Sequence, residues 1–187
     1  MTFGQPDDLE RAVKVHVTQG ESHVSSDPAV VMTTVLGSCI AACIRDPQAS
    51  VSNINHFLLP DTGDGRKDGD AVRYGAYAME LLINGLLKRG ARRERMEAKI
   101  FGGGKLFDSL SDVGASNAAF AERFLRDEGI PIVSSSTGGV SARRVEFWPA
   151  SGRVRQRLVA VDNAPQDVRR PAPAPMPASS GGDLELF

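Results

Sequence analysis

Few residues in this sequence suit covalent chemistry, and two of them stand in an order that could assemble a nucleophile. Cys39 directly follows Gly37 and Ser38 at the end of an apolar run, and His56 comes seventeen positions later. A tight turn at a strand end lets backbone N–H groups point at a bound carbonyl oxygen and stabilise the charge it acquires under attack. A return strand carrying His56 would set an imidazole beside the sulfur and hold it as thiolate, the reactive form. Each residue also has a plainer reading. A lone cysteine packs as a small buried hydrophobe, and a lone histidine serves as a structural hydrogen-bonder.

Two other chemistries can be weighed on the same residues. Cys39, Cys43 and His56 could act as three zinc ligands, but no fourth ligand has suitable spacing, and His16 and His23 lie in a polar N-terminal region. No metal and no cofactor is expected. Gly102 to Gly104 followed by Lys105 evokes a phosphate loop, yet Leu106 stands where such a loop needs Ser or Thr, and the upstream glycine is missing. A tight turn or close backbone packing is the expectation there. The five basic residues between Lys88 and Arg95 could grip an acidic surface, although a solvated helix end explains them as well.

The elements that must position Cys39 and His56 are legible from periodicity. Residues 30–36 are rich in Val, Met and Thr and read as a strand entering the Gly37-Ser38 turn; Ile40, Ala42 and Ile44 then alternate up to the Asp46-Pro47 break. Residues 52–59 form a second extended run, closed by Pro60, so adjacent strands carry the cysteine and the histidine. Residues 61–70, with three glycines and four aspartates, read as a polar loop rimming the site. Residues 73–88 predict a helix with Tyr74, Tyr77, Ala78, Leu81, Leu82, Gly85 and Leu86 at helical spacing and Gly90 as its C-cap. Residues 97–101 read as a short strand, 113–127 as a second helix with Val113, Phe120, Phe124 and Leu125 inward, and 130–135, 143–148 and 153–161 as strands. Strands and helices mixed without a βαβ repeat define an α+β domain.

A chain of 187 residues, 41% hydrophobic and 24% charged, is long enough for one globular domain but not for two with a linker. The expected division is a polar N-terminal segment over 1–24, a domain over 25–162, and a disordered Pro-rich tail over 163–187, whose Leu184 to Phe187 end resembles a short docking peptide. Net charge of -1 offers no positive field for nucleic acid or an anionic membrane. An N-terminus without a basic and apolar leader, together with the absence of a long apolar stretch, predicts a cytoplasmic protein whose two cysteines remain thiols.

Two blocks narrow the chemistry. Thr33-Thr34-Val35-Leu36-Gly37-Ser38-Cys39 and Asn55-His56-Phe57-Leu58-Leu59-Pro60 together resemble the signature of the bacterial chemoreceptor glutamine deamidases, the CheD family. The resemblance continues through Arg73-Tyr74-Gly75, Ala98 to Gly104, Gly114 with Asn117, and Gly138-Gly139 with Arg143 to Phe147. It implies a three-layer α/β/β sandwich and hydrolytic conversion of glutamines on methyl-accepting chemotaxis receptors to glutamates, the activity of a protein-glutamine glutaminase. It further implies Cys39 as nucleophile, His56 as base, the Gly37-Ser38 turn at the oxyanion, and Thr33 orienting His56, with Thr34 as the alternative. The phosphatase CheC is an implied partner, and a non-catalytic adaptor binding receptors or CheC is the rival reading. Ser136-Thr137 before the glycine pair and Ala142 before Arg143 depart from the usual family pattern, where Asp and Gly are common.

Overall fold

The computed structural model describes residues 12–59, 68–106 and 113–159. The expected loop over 61–67 and the Pro-rich tail with Leu184 to Phe187 lie outside them.

Alternation decides the layering. Strand β3 (Val30–Leu36) runs through the Gly37-Ser38 turn into β4 (Ile40–Asp46), and β4 pairs antiparallel with β5 (Val51–Asn55). On β4, Ile40, Ala42 and Ile44 face one way into a core with the helices, while Ala41 and Cys43, together with Cys39 just before the strand, face the other way into a second core. Successive side chains on a strand point to opposite faces, so a strand apolar at every position must be covered on both.

The helices α1 (Asp68–Leu87) and α2 (Val113–Asp127) cover one face of a five-stranded sheet, ordered β2 (Ser22–Ser25), β5, β4, β6 (Glu97–Gly102) and β7 (Ile132–Thr137). Its other face packs on a four-stranded sheet, ordered β1 (Val13–His16), β3, β8 (Ala142–Trp148) and β9 (Arg153–Val159). Met32, Leu36, Val145 and Phe147 of the smaller sheet meet Cys39, Ala41, Cys43 and Ile54 of the larger. The result is the α+β, three-layer α/β/β sandwich expected from the sequence.

Three expectations change. The N-terminal segment contributes strands to both sheets, β1 parallel to β3 and β2 antiparallel to β5, and Val17 between them is buried. Gly69 and Asp70, expected in the polar loop, are already helical. On α1 the buried face is Ala71, Gly75, Met79, Leu82, Ile83 and Leu86, whereas Tyr74, Tyr77 and Leu81 are exposed. Small residues set that rotation. A Cβ at Gly75 would come within 2.6 Å of Leu59 and Phe120 side-chain atoms, so the helix seats itself on its glycine rather than on its tyrosines. Gly90, at φ 86, ends the helix as predicted.

Asp46 closes β4 with a fully buried carboxylate. Its oxygens accept from the N–H groups of Gln48 at 2.9 Å, Ala49 at 3.2 Å and Arg92 at 2.9 Å, and from Arg95 Nε at 2.8 Å. Burial by itself raises a carboxyl pKa, but these donors outweigh it and hold Asp46 below the ordinary range. A depressed folded-state pKa contributes stability that is fully present above the unfolded value and is lost as pH falls through the folded one. Asp46→Asn should therefore cost on the order of 2 kcal/mol in urea unfolding at pH 7. The gap to the parent should narrow once pH drops below about 4; an unchanged gap in acid would remove the carboxylate from this role.

Candidate active site

The turn that presents Cys39 is held by its carbonyls. Gly104 N–H donates to Gly37 O at 2.8 Å, Asn117 Nδ2 to Ser38 O at 2.9 Å, and Gly103 N–H to Cys39 O at 2.8 Å. Gly102, at φ 116, passes so close that a Cβ there would lie 2.0 Å from Cys39 O. The glycine run therefore serves the cysteine turn, as close backbone packing, and two of its N–H groups are spent on that turn rather than open to phosphate. Asn117 is fully buried, and its Oδ1 accepts from Leu59 N–H at 2.9 Å. One carboxamide thus ties the cysteine turn to the stretch that carries His56. Sequence reasoning gave Asn117 no role, although a buried asparagine on the inner face of an amphipathic helix was the available signal.

His56 lies just past β5, between the ladder of β4 with β5 and the isolated bridge of Ile40 with Phe57. The shared register sets His56 opposite Ala41 and Leu58 opposite Cys39, so Cys39 and His56 are diagonal neighbours on one face. Such neighbours lie about 7–8 Å apart at the backbone, within reach of long and aromatic side chains.

From the facing sheet, Thr34 reaches His56. Thr34 Oγ1 donates its hydrogen to Val17 O at 2.7 Å and lies 2.9 Å from His56 Nδ1. A hydroxyl has a single hydrogen, so its oxygen must accept from Nδ1–H. The neutral imidazole is thereby fixed in the tautomer whose Nε2 is the proton acceptor, which is the form a base requires.

Thr33, the residue expected to orient His56, does not touch it. Its Oγ1 lies 2.7 Å from Nδ1 of His16. Neighbours on a strand point to opposite faces, and only Thr34 faces the inter-sheet core. The orienting contact belongs to the alternative, Thr34.

A turn over residues 17–21, crossing from β1 to β2, closes the site. Gly20 N–H donates to His56 O at 2.7 Å, His56 N–H to Glu21 O at 3.1 Å, and Val17 N–H to Thr33 O at 2.9 Å. Thr18 N–H donates to Glu21 Oε2 at 2.9 Å, and hydrogen bonding by Thr18, followed by nearby His56, keeps the Glu21 carboxyl below its ordinary range. Gln19 on the turn sets Oε1 3.7 Å from Cys39 Sγ. The alternation of Val13, Val15 and Val17 was the sequence signal for this element, masked by the polar residues around it. A cleft of about 290 Å³, lined among others by His16, Gln19, Thr34, His56 and Arg144, opens beside it.

The two thiols differ. Burial pushes the Cys43 thiol far above its ordinary range, against a weaker opposing pull from Lys99. Among the described residues, no group of three or more His, Cys, Asp or Glu is arranged to hold a metal ion.

Fold and site together define an α/β/β sandwich with a threonine-held histidine and a turn-borne cysteine between its sheets. The family model described as CheD chemotactic sensory transduction matches residues 58–158. A Caulobacter vibrioides (strain NA1000 / CB15N) protein called "Probable chemoreceptor glutamine deamidase CheD" is 86% identical over 187 residues, covering 100% of both chains. An Agrobacterium fabrum (strain C58) protein of the same description is 58% identical over 183 residues, covering 96% of this chain and 99% of that one. The chain belongs to the CheD family. Among solved structures, Neisseria meningitidis protein NMB0706 is similar at 12% identity and TM-score 0.48, covering 72% of this chain and 67% of that one. Bacillus licheniformis hypothetical protein YfiH is similar at 13% identity and TM-score 0.44, covering 64% and 51%.

Iodoacetamide should alkylate Cys39 before Cys43 near neutral pH, because the thiolate is the species that reacts. Thr34→Val should slow that labelling and Thr33→Val should leave it nearly unchanged, as read by peptide mass spectrometry over time. Equal effects of the two substitutions would remove Thr34 from the orienting role.

Proposed function

We propose that this protein deamidates glutamine side chains on methyl-accepting chemoreceptors, releasing ammonia and leaving glutamate, as the names of its relatives describe for them. The observation that carries this reading is the Thr34 hydroxyl. Committed to Val17 O, it leaves His56 Nε2 as base on the face that also bears Cys39.

The chemistry follows from the groups present. His56 takes the thiol proton, and Cys39 thiolate attacks the carboxamide carbon of the substrate glutamine. Negative charge forms on the amide oxygen, where N–H groups of the Gly37, Ser38 and Cys39 turn are its donors. The turn's carbonyls are spent on Gly103, Gly104 and Asn117, which fixes the orientation of its peptide planes. The His56 imidazolium then protonates the departing nitrogen, and ammonia leaves a thioester on Cys39. Neutral His56 removes a proton from water, which attacks the thioester carbonyl; glutamate departs and the thiol is restored. In sum, glutamine and water give glutamate and ammonia.

Both thiols are buried, and their surroundings rather than their exposure divide the labour between them, since Cys39 follows the Gly37-Ser38 turn and meets Gln19 at the cleft. Cys43, four positions along the chain and on the same face, sits inside the sheet with its thiol protonated, and serves as a packing residue.

Incubation with a receptor cytoplasmic fragment, followed by peptide mass spectrometry, tests the reading. Deamidated peptides should gain about one dalton with release of ammonia. Cys39→Ala should bring turnover to background and His56→Ala should lower it by roughly 10²-fold or more, while Cys43→Ala should keep most of it. Tight binding of the fragment without any mass change would instead support an adaptor.

A further inference from the structure

We infer that Gln19 is a third catalytic side chain of this site, a carboxamide that accepts from the Cys39 thiol at rest and donates to the charge that forms during attack. This rests on the deamidase reading above and deepens it.

Three observations converge. The Gln19 carboxamide is in contact with the sulfur, with Oε1 3.7 Å from Cys39 Sγ, although Cys39 is only 1% exposed and Gln19 itself is at the surface. The turn that carries Gln19 is locked to the catalytic histidine. Both backbone polar groups of His56 are bonded to it, through Gly20 N–H at 2.7 Å and Glu21 O at 3.1 Å. The turn is braced again by Thr18 N–H on Glu21 Oε2 and by Val17 N–H on Thr33 O, and Gly20, at φ 88, adopts a conformation that a residue with a Cβ would resist. Gln19 therefore projects from a rigid platform built on His56.

A carboxamide has the chemistry this position asks for. The thiol offers a hydrogen, which an amide oxygen accepts. The thiolate and the tetrahedral oxyanion offer only lone pairs, which the amide NH2 satisfies after a half-turn about the last side-chain torsion, a soft and roughly two-fold rotation. The oxyanion is covalently next to the carbon that sulfur attacks, so a group in contact with the sulfur is within reach of it. A donor held in place beforehand stabilises that charge without reorganisation at the moment of reaction. Gln19 would act from the β1–β2 turn, across the site from the N–H groups of the cysteine turn. The charged or titratable groups around this arrangement are His56, Glu21, His16 and Arg144, and all stay unchanged in the variants below.

Wild type, Gln19→Ala and Gln19→Glu, full-length, are compared on a receptor fragment and in the pH dependence of Cys39 alkylation by iodoacetamide. Gln19→Ala should lower kcat by roughly 10²-fold, with KM little changed. Gln19→Glu, the same shape without the donor and with a charge that opposes the thiolate, should fall at least as far. The alkylation midpoint should rise in the order Gln, Ala, Glu. A Gln19→Ala protein as active as wild type or more active, or an alkylation midpoint that does not move, overturns the inference. So does a gain of about one dalton at Gln19 in wild type but not in Cys39→Ala, since the carboxamide would then be a substrate. Should wild type deamidate no receptor fragment, the proposed function fails, and the order of alkylation midpoints alone decides the role of Gln19.

Discussion

A single threonine hydroxyl joins the two sheets where the chemistry would occur. Thr34 belongs to the smaller sheet and His56 to the edge of the β4–β5 ladder in the larger, and Oγ1 meets both Val17 O and His56 Nδ1. Its geometry demands that the sheets approach closely at this end. Small residues on the central strand allow it, since Ala41 and Cys43 face the smaller sheet while Ile40 and Ile44 face the helices. A larger side chain at Ala41 would push the sheets apart and take the hydroxyl away from the imidazole. Interiors are close-packed and have few ways to absorb an extra methylene, so the inter-sheet core and the histidine tautomer are set by the same packing.

The cysteine turn depends on a second constraint, backbone crowding. Gly102, Gly103 and Gly114 lie where any side chain would strike backbone: Cys39 O for the first, Gly114 O and Gly103 O for the others. Those glycines give up conformational entropy in the folded state, and in return the loop after β6 comes close enough for its N–H groups to hold the Gly37 and Cys39 carbonyls. Asn117 completes the arrangement from α2. Helix, glycine loop and cysteine turn are thereby tied together by hydrogen bonds, which sets Cys39 against the stretch that carries His56.

Charge has a structural role away from the site. Arg95 and Asp46 tie the segment after α1 to the end of β4, and Arg93 pairs with Glu128 beyond α2. Two of the five basic residues between Lys88 and Arg95 are thus engaged within the fold, and the run is less a basic patch than its composition suggested. Arg143 is buried as well, donating to the carbonyls of Ser136 and Gly138 to shape the β7–β8 turn. In the unusual Ser136-Thr137 pair, Ser136 holds Arg143 through its carbonyl, and its hydroxyl accepts from Gln156 Nε2 at 2.8 Å.

Much of this was legible in the residues themselves. Strand β3 and helix α2 have the bounds that alternation and helical spacing predict, and the cysteine and histidine end up beside adjacent strands, just before β4 and just past β5, because the Asp46-Pro47 break and a return run of the right length lie between them. Local pattern governs such features, since period and turn chemistry are properties of consecutive residues. What pattern could not decide was direction. Tyr74, Tyr77 and Leu81 share helical spacing with Leu82 and Leu86, and only packing on Leu59, Phe120 and Asn53 selected which stripe turned inward. Thr33 and Thr34 are chemically identical neighbours, and the facing sheet alone determined which hydroxyl met His56. The polar stretch before residue 25 carries too few apolar residues to declare its two strands, and they formed in separate sheets because β3 and β5 offered open edges. Adjacency in sequence names the candidates; the partner across the interface, set by contacts between residues far apart in the chain, chooses among them.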